Sequence, residues 1–212
     1  MTDEKDILAK FNGLTKDLGS KDARVAVYKY IRDIPYAIIP ELRDPEKGPA
    51  GMLNLNKGSC QPKHYLLAML FGKLGIPVQY VSYPFKWGGQ KIAFPEDLER
   101  IAKDLPPAYH LACKAYIDDK WVLVDATTDL PLKKANFPVN EKWDGQSGTV
   151  NAVEPFDEVV HGSLMERVSY EAKQKSFYTD KERATYAQFI EKLNPWLESV
   201  RLDRSSILKN HF

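Results

Sequence analysis

The sequence predicts an α+β fold: an apolar helix packed on an antiparallel sheet, followed by a loop-rich and helical C-terminal extension. Three observations carry this. Leu66, Leu67, Leu70, Phe71 and Leu74 recur at helical spacing, and Gly75 and Pro77 supply the stop. Val78 to Tyr83, Tyr109 to Ile117 and Lys120 to Ala126 are rich in β-branched and aromatic residues, and the last two segments flank a tight turn at Asp118-Asp119. Tyr186, Phe189, Ile190 and Leu193 form another helical stripe, ahead of Pro195.

The remaining elements follow in chain order. Leu8, Phe11 and Leu14 predict a short first helix halted at Gly19-Ser20, and Val25, Tyr28, Ile31 and Arg32 a second that ends before Pro35. Pro35, Pro40, Pro45, Gly48, Pro49, Gly51 and Gly58 make residues 35–58 read as an irregular loop. Residues 84–108 form an excursion between strands, with Trp87-Gly88-Gly89 at one end, Pro106-Pro107 at the other, and a short helix around Glu96 to Lys103. From Leu130 to about Phe156 prolines and glycines return, with Trp143 and Phe156 as expected packing anchors. The expectation is one domain, 1–212, with a core of about 21–130 and an extension of about 131–212 packed on it.

Composition narrows the function classes. Apolar residues make up 43% and charged residues 28%, a globular balance that excludes a disordered chain. With 30 Lys+Arg against 29 Asp+Glu the net charge is +1, so no bulk field attracts nucleic acid or an anionic membrane. The longest apolar run, Tyr65 to Phe71, falls far short of the roughly 20 residues of a membrane span. Asp3, Glu4 and Asp6 stand where a secretion signal carries positive charge, so the expected location is cytoplasmic. Cys60 and Cys113 are too few for a disulfide scaffold and are expected as free thiols.

Cys60 is the residue that suggests chemistry. Gly58-Ser59-Cys60 opens the strong helix, with Ser59 at the N-cap and Pro62 inside the first turn, where proline is tolerated. A thiol there faces the positive end of the helix dipole, which favours the nucleophilic thiolate, and the unpaired amides nearby suit an oxyanion. A lone cysteine is also a common small core residue.

A cysteine nucleophile needs a base, and the base an orienting partner. A two-residue turn at Asp118-Asp119 pairs positions whose numbers sum to 237, so His110 and Asp125 become diagonal neighbours on one face of the hairpin. Asp125 is then placed to fix the imidazole tautomer. Cys113 falls on the opposite face and reads as core.

Gly58-Ser59-Cys60, then Leu66-Leu67 and Leu74-Gly75-Ile76-Pro77-Val78, resemble the nucleophile helix and following strand of the transglutaminase-like superfamily. The stretch from His110 through Tyr116, Asp118 and Trp121 to Asp125 and Thr127 resembles its histidine strand, turn and aspartate strand. The resemblance implies a papain-like fold with a catalytic triad of Cys60, His110 and Asp125, acting in acyl transfer on a peptide or protein amide without a cofactor or metal. Compact bacterial or archaeal-type members suggest hydrolysis, and no calcium-type carboxylate cluster points to regulated crosslinking. Amine transfer to protein glutamine and a silent peptide- or partner-binding domain are the alternatives.

Two departures stand out. Ala112 replaces a tryptophan frequent in the family, which is expected to widen that side of the site, and Gln79 replaces a frequent arginine. Asn54 is a candidate for the oxyanion amide, and Trp87 for an aromatic arm over the substrate. Two rivals share the residues: His64, one turn after Cys60, as the base, and a zinc set of Cys60, His64, His110 and Cys113.

Overall fold

A computed structural model describes residues 4–202. Asp3 and residues 203–212 of the expected extension lie outside the described residues. Helices α1 (Glu4–Thr15) and α2 (Ser20–Asp33) bury the stripes that their spacing marks, Ile7 and Phe11 from the first and Val27, Tyr28 and Ile31 from the second. Ile34 turns to an extended conformation because Pro35 crowds the helical one, and α2 ends there.

Residues 35–58 are not wholly irregular. A 3-10 turn at Pro40–Arg43 leads into a helix, α3 (Gly48–Leu55). The breakers that hid it are compatible with it. Pro49 lies in the first turn, where its missing amide is not needed. Gly48 is there because a Cβ would stand 2.3 Å from the Leu42 carbonyl oxygen.

Helix α4 (Cys60–Lys73) is buried along most of its length, as an apolar sequence requires. Ser59 occupies the N-cap position with extended backbone, but its side chain makes no capping bond. The entry to α4 is fixed by backbone instead. Gly58 donates to the Pro35 carbonyl at 3.0 Å and accepts from the Ala37 amide at 3.2 Å. A side chain at Gly58 would collide with Met52, at 2.7 Å from its Cγ.

Strand β1 (Val78–Phe85), helix α5 (Glu96–Lys103), β2 (Ala108–Ile117) and β3 (Lys120–Val124) follow. A short β4 (Val159–His161) completes an antiparallel sheet of order β3-β2-β1-β4. Asp118 and Asp119 both have positive φ, 49° and 62°, the primed turn whose twist suits a two-residue hairpin. Cys113 pairs with Val124 and Lys114 with Leu123, the register expected from that turn. Trp143 is buried and stacks on Phe71, but Phe156 is 62% exposed and anchors nothing.

One apolar cluster packs α2 and α4 against Cys113, Ala115 and Val124, and the other packs α5 and the C-terminal helix against Val81, Ala112 and Phe85. The sheet thus has a layer on each face. The C-terminal region supplies α6 (Leu164–Ser176) and α7 (Asp180–Leu202), and α7 continues through Pro195 rather than ending before it. Two latches hold it. Asn194 bonds both backbone groups of Ile38, at 3.0 and 2.9 Å, and Arg201 grips Asp129 at 2.8 and 2.9 Å while donating to the Tyr36 carbonyl at 2.8 Å. Among the described residues no helix is long and apolar enough to cross a membrane.

Candidate active site

The hairpin register brings His110 and Asp125 together. His110 Nε2 lies 2.8 Å from Asp125 Oδ2, and both side chains are buried. Asp125 also accepts the backbone amides of Thr127, at 3.0 Å, and Ala152, at 2.8 Å, so its carboxylate is held from three directions. The Cys60 thiol, at the start of α4, neighbours the His110 imidazole and the Leu111 amide. The fold thus brings a thiol, an imidazole and a carboxylate together in one row.

Charge organises this row. Burial works against the His110 imidazolium, but the Asp125 carboxylate beside it, together with Cys60, raises its pKa to about 10. Burial also opposes the Cys60 thiolate, yet the hydrogen bond and charge of His110, the Leu111 amide and Arg167 bring its pKa below the ordinary thiol value. Burial resists the Asp125 charge as well, and the His110 and His64 neighbours with the Thr127 bond hold it well below the usual carboxylate range. A thiolate–imidazolium pair is the arrangement that all three shifts favour.

His64 is committed elsewhere. The Ala126 amide donates to its Nε2 at 3.1 Å, so the proton sits on Nδ1 and is given to the Cys60 carbonyl at 2.8 Å. Burial lowers its pKa to about 4, which keeps it neutral despite Asp125 at 3.6 Å. It braces the first turn of α4 against the Asp125 segment. Lys63, fully buried, does the same from the next position by donating to the carbonyls of Arg32 at 3.0 Å and Thr127 at 2.7 Å. Cys113 points to the other face, donates to the His64 carbonyl, and has its pKa pushed up by burial. The four zinc candidates therefore do not converge.

Iodoacetamide at neutral pH is expected to label Cys60 on the order of a hundredfold faster than Cys113. Half-buried Cys60 carries a lowered pKa, while Cys113 is sealed. Peptide mapping by mass spectrometry reads the ratio, and equal rates would remove Cys60 as nucleophile.

Cys60 and His110 open onto a cavity of about 50 Å³. Its walls come from the whole chain: Tyr36 and Arg43 before α4, Trp87 after β1, Thr127 and Thr128 after β3, and Glu171, Lys175, Tyr178 and Tyr186 from α6 and the segment leading into and along α7. Beside the thiol, Gln61 donates to Glu171 at 2.6 Å, and Arg167 and Lys175 pair with the same carboxylate. Two buried polar atoms on residues lining this space, Trp87 Nε1 and Thr127 Oγ1, have no hydrogen-bond partner among the described residues; the Tyr186 hydroxyl neighbours the indole. Buried groups of this kind are normally satisfied.

The transglutaminase-like superfamily profile matches residues 6–126, more than half of the chain. The chain belongs to the transglutaminase-like superfamily. Among solved structures, a Cytophaga hutchinsonii protein provisionally assigned as a cysteine protease shares 18% identity over 75% of this chain and 47% of its own, with a TM-score of 0.41. A structure described as a TGase shares 15% identity over 61% of this chain and 34% of its own, with a TM-score of 0.38. The chain thus spans less than half the length of either. No curated protein matches it.

Within this transglutaminase-like chain, three expectations need correction. Asn54 is exposed on α3, apart from the cavity, so it does not supply the oxyanion amide. Trp87 is 4% exposed and packed on Phe85, Phe94 and Phe189; it is a fixed wall of the cavity rather than a moving arm. Ala112 opens nothing. It pairs with Val81 inside a closed apolar cluster, where neighbours fill the space that a larger side chain would take.

Arg43, Gln61, Glu171 and Lys175 escaped the sequence reading, because they carry no spacing motif, and Tyr186 enters it only as part of a helical stripe. The folding-back of α6 and α7 brings Glu171, Lys175 and Tyr186 to the cavity.

Proposed function

We propose that this protein hydrolyses amide bonds through a Cys60–His110–Asp125 triad. The observation that carries the reading is the buried His110–Asp125 bond of 2.8 Å next to the thiol of lowered pKa. Cys60 Sγ attacks the amide carbonyl and forms an Sγ–C bond while amides at the start of α4 receive the oxyanion. The C–N bond then breaks, and His110 delivers its proton to the leaving nitrogen. Water, deprotonated by His110, cleaves the resulting thioester to a free acid and restores the thiol. Asp125 holds the ring in place throughout.

Charge supports water over an amine as acceptor. Arg43 and Lys175 at the cavity, with Arg183 just beyond, outnumber the acids there, and they oppose the approach of a lysine ammonium group. The proposed partner is a peptide or protein amide, with no role for nucleic acid or membrane. Product partitioning tests this: with acyl donors and rising concentrations of a primary amine, the free acid is expected to dominate at millimolar amine, with Cys60→Ser as the inactive control. Dominant amide product at low amine would establish transfer. No product from any donor, with Cys60 still reactive to alkylation, would establish a binding domain.

A further inference from the structure

The side of the cavity away from His110 carries an excess of positive charge that the triad does not use. Among the described residues Glu171 is the only acid lining it, and it is already paired with Arg167 and Lys175. Arg43 faces the same group of residues and has no carboxylate within salt-bridge distance among the described residues, although its charge is felt by Glu171, Lys175 and Tyr186. Three cations thus surround one carboxylate, and two of them, Arg43 and Lys175, are only partly buried and so within reach of a ligand in the cavity.

The space beyond has a shape that explains the excess. The cavity at the thiol, about 50 Å³, holds little more than a reacting carbonyl and its immediate neighbours. A wider groove of about 380 Å³ adjoins it and shares Arg43, Lys175, Tyr178 and Tyr186 as walls, with Arg183 and Glu191 farther out. Arg43 therefore stands at the junction, with its guanidinium available to both spaces. A planar guanidinium with no carboxylate paired to it among the described residues suits a carboxylate held by two parallel hydrogen bonds. Trp87 Nε1 and Thr127 Oγ1 remain for the neutral polar atoms of the same substrate.

Resting on the hydrolase reading, we infer that Arg43 selects amide substrates carrying a carboxylate close to the scissile bond, with Lys175 adding to the field. The carboxylate belongs to an acidic side chain or to the free end of a peptide, and the test separates these. The first arm uses two near-isosteric alkylating agents, iodoacetate and iodoacetamide, on the intact protein. The iodoacetate-to-iodoacetamide rate ratio at Cys60 is expected to fall by roughly tenfold in Arg43→Gln and to recover in Arg43→Lys. The second arm compares peptide donors differing only in Glu against Gln beside the scissile amide, or in a free against an amidated C-terminus. One pair should show a preference in kcat/KM of about tenfold or more for the acid, lost in Arg43→Gln. An unchanged alkylation ratio, or equal kcat/KM for acidic and neutral donors, overturns the inference. A ratio that falls as expected while no donor is cleaved leaves the carboxylate site standing and removes hydrolysis.

Discussion

His110→Ala is expected to lower turnover of any acyl donor by on the order of a thousandfold, and to strip Cys60 of its reactivity near neutrality. The thiol is buried enough that, without His110, only the Leu111 amide and Arg167 remain to favour its charge. Its pKa should therefore climb, and alkylation should follow a single alkaline step. His64→Ala tests the opposite assignment. It leaves the Ala126 amide without its acceptor and removes the side-chain donor to the Cys60 carbonyl, at a cost of about 2–3 kcal/mol in stability. The pH profile of Cys60 labelling should nevertheless keep its neutral arm. Thermal melts together with alkylation profiles separate the two variants, and a lost neutral arm in His64→Ala would transfer the base to His64.

These variants differ in kind because the two histidines differ in what the sequence revealed. His110 and Asp125 were legible through arithmetic: a two-residue turn fixes a register, and parity then fixes the face. The type of turn mattered more than any propensity, since a third turn residue would have sent Asp125 to the other side. Cys60 was legible because Gly58, Ser59 and Pro62 mark a helix start. The walls of the cavity were not. Residues 35–58 looked irregular because their breakers are tolerated at a first turn or demanded by close approach, as at Gly48. The stripe of α7 is visible in the sequence only as far as Leu193, yet Asn194 and Arg201 hold the helix to Ile38 and Asp129 through contacts separated by 156 and 72 positions. Side chains acting over such distances leave no local pattern. Ala112 misled for a related reason: whether a small residue makes an opening depends on who fills the space, and here Val81 and its cluster do.

The latches also bear on how the site is kept in shape. Arg201 and Asp129 pull on Tyr36, and Asn194 on Ile38, so one helix sets the segment that lines the cavity opposite Trp87. Lys63 and His64 set the segment after Asp125 from the other face. The thiol end of α4 is thereby held between two independently braced strips of backbone, which is what preorganised chemistry requires.

Asp125→Asn is expected to remove the alkaline part of the activity profile while leaving the fold in place. On the proposed reading the thiolate–imidazolium pair spans the range between the lowered pKa of Cys60 and the pKa of His110 at about 10. Burial alone would lower the His110 value, and it is the Asp125 charge that raises it. An amide keeps one acceptor oxygen for His110 Nε2 and the Ala152 amide, and turns its NH2 toward the Thr127 amide, where a hydrogen bond is lost. Orientation survives and charge does not. The upper limit of activity should fall from about 10 toward or below the ordinary histidine value, so that kcat/KM drops far more at pH 8.5 than at pH 6, by roughly ten- to a hundredfold. Stability should follow the same sign. A raised His110 pKa stabilises the native state fully below the unfolded value of about 6.5, and this contribution, on the order of a few kcal/mol, is lost as pH rises through about 10. Native Tm should therefore decline across that window, and the decline should vanish in Asp125→Asn. Asp125→Ala, which strands three donors at once, should instead melt lower at every pH in that window by about 3–5 kcal/mol. An unshifted alkaline limb in Asp125→Asn would mean that something other than Asp125 sets the charge of His110.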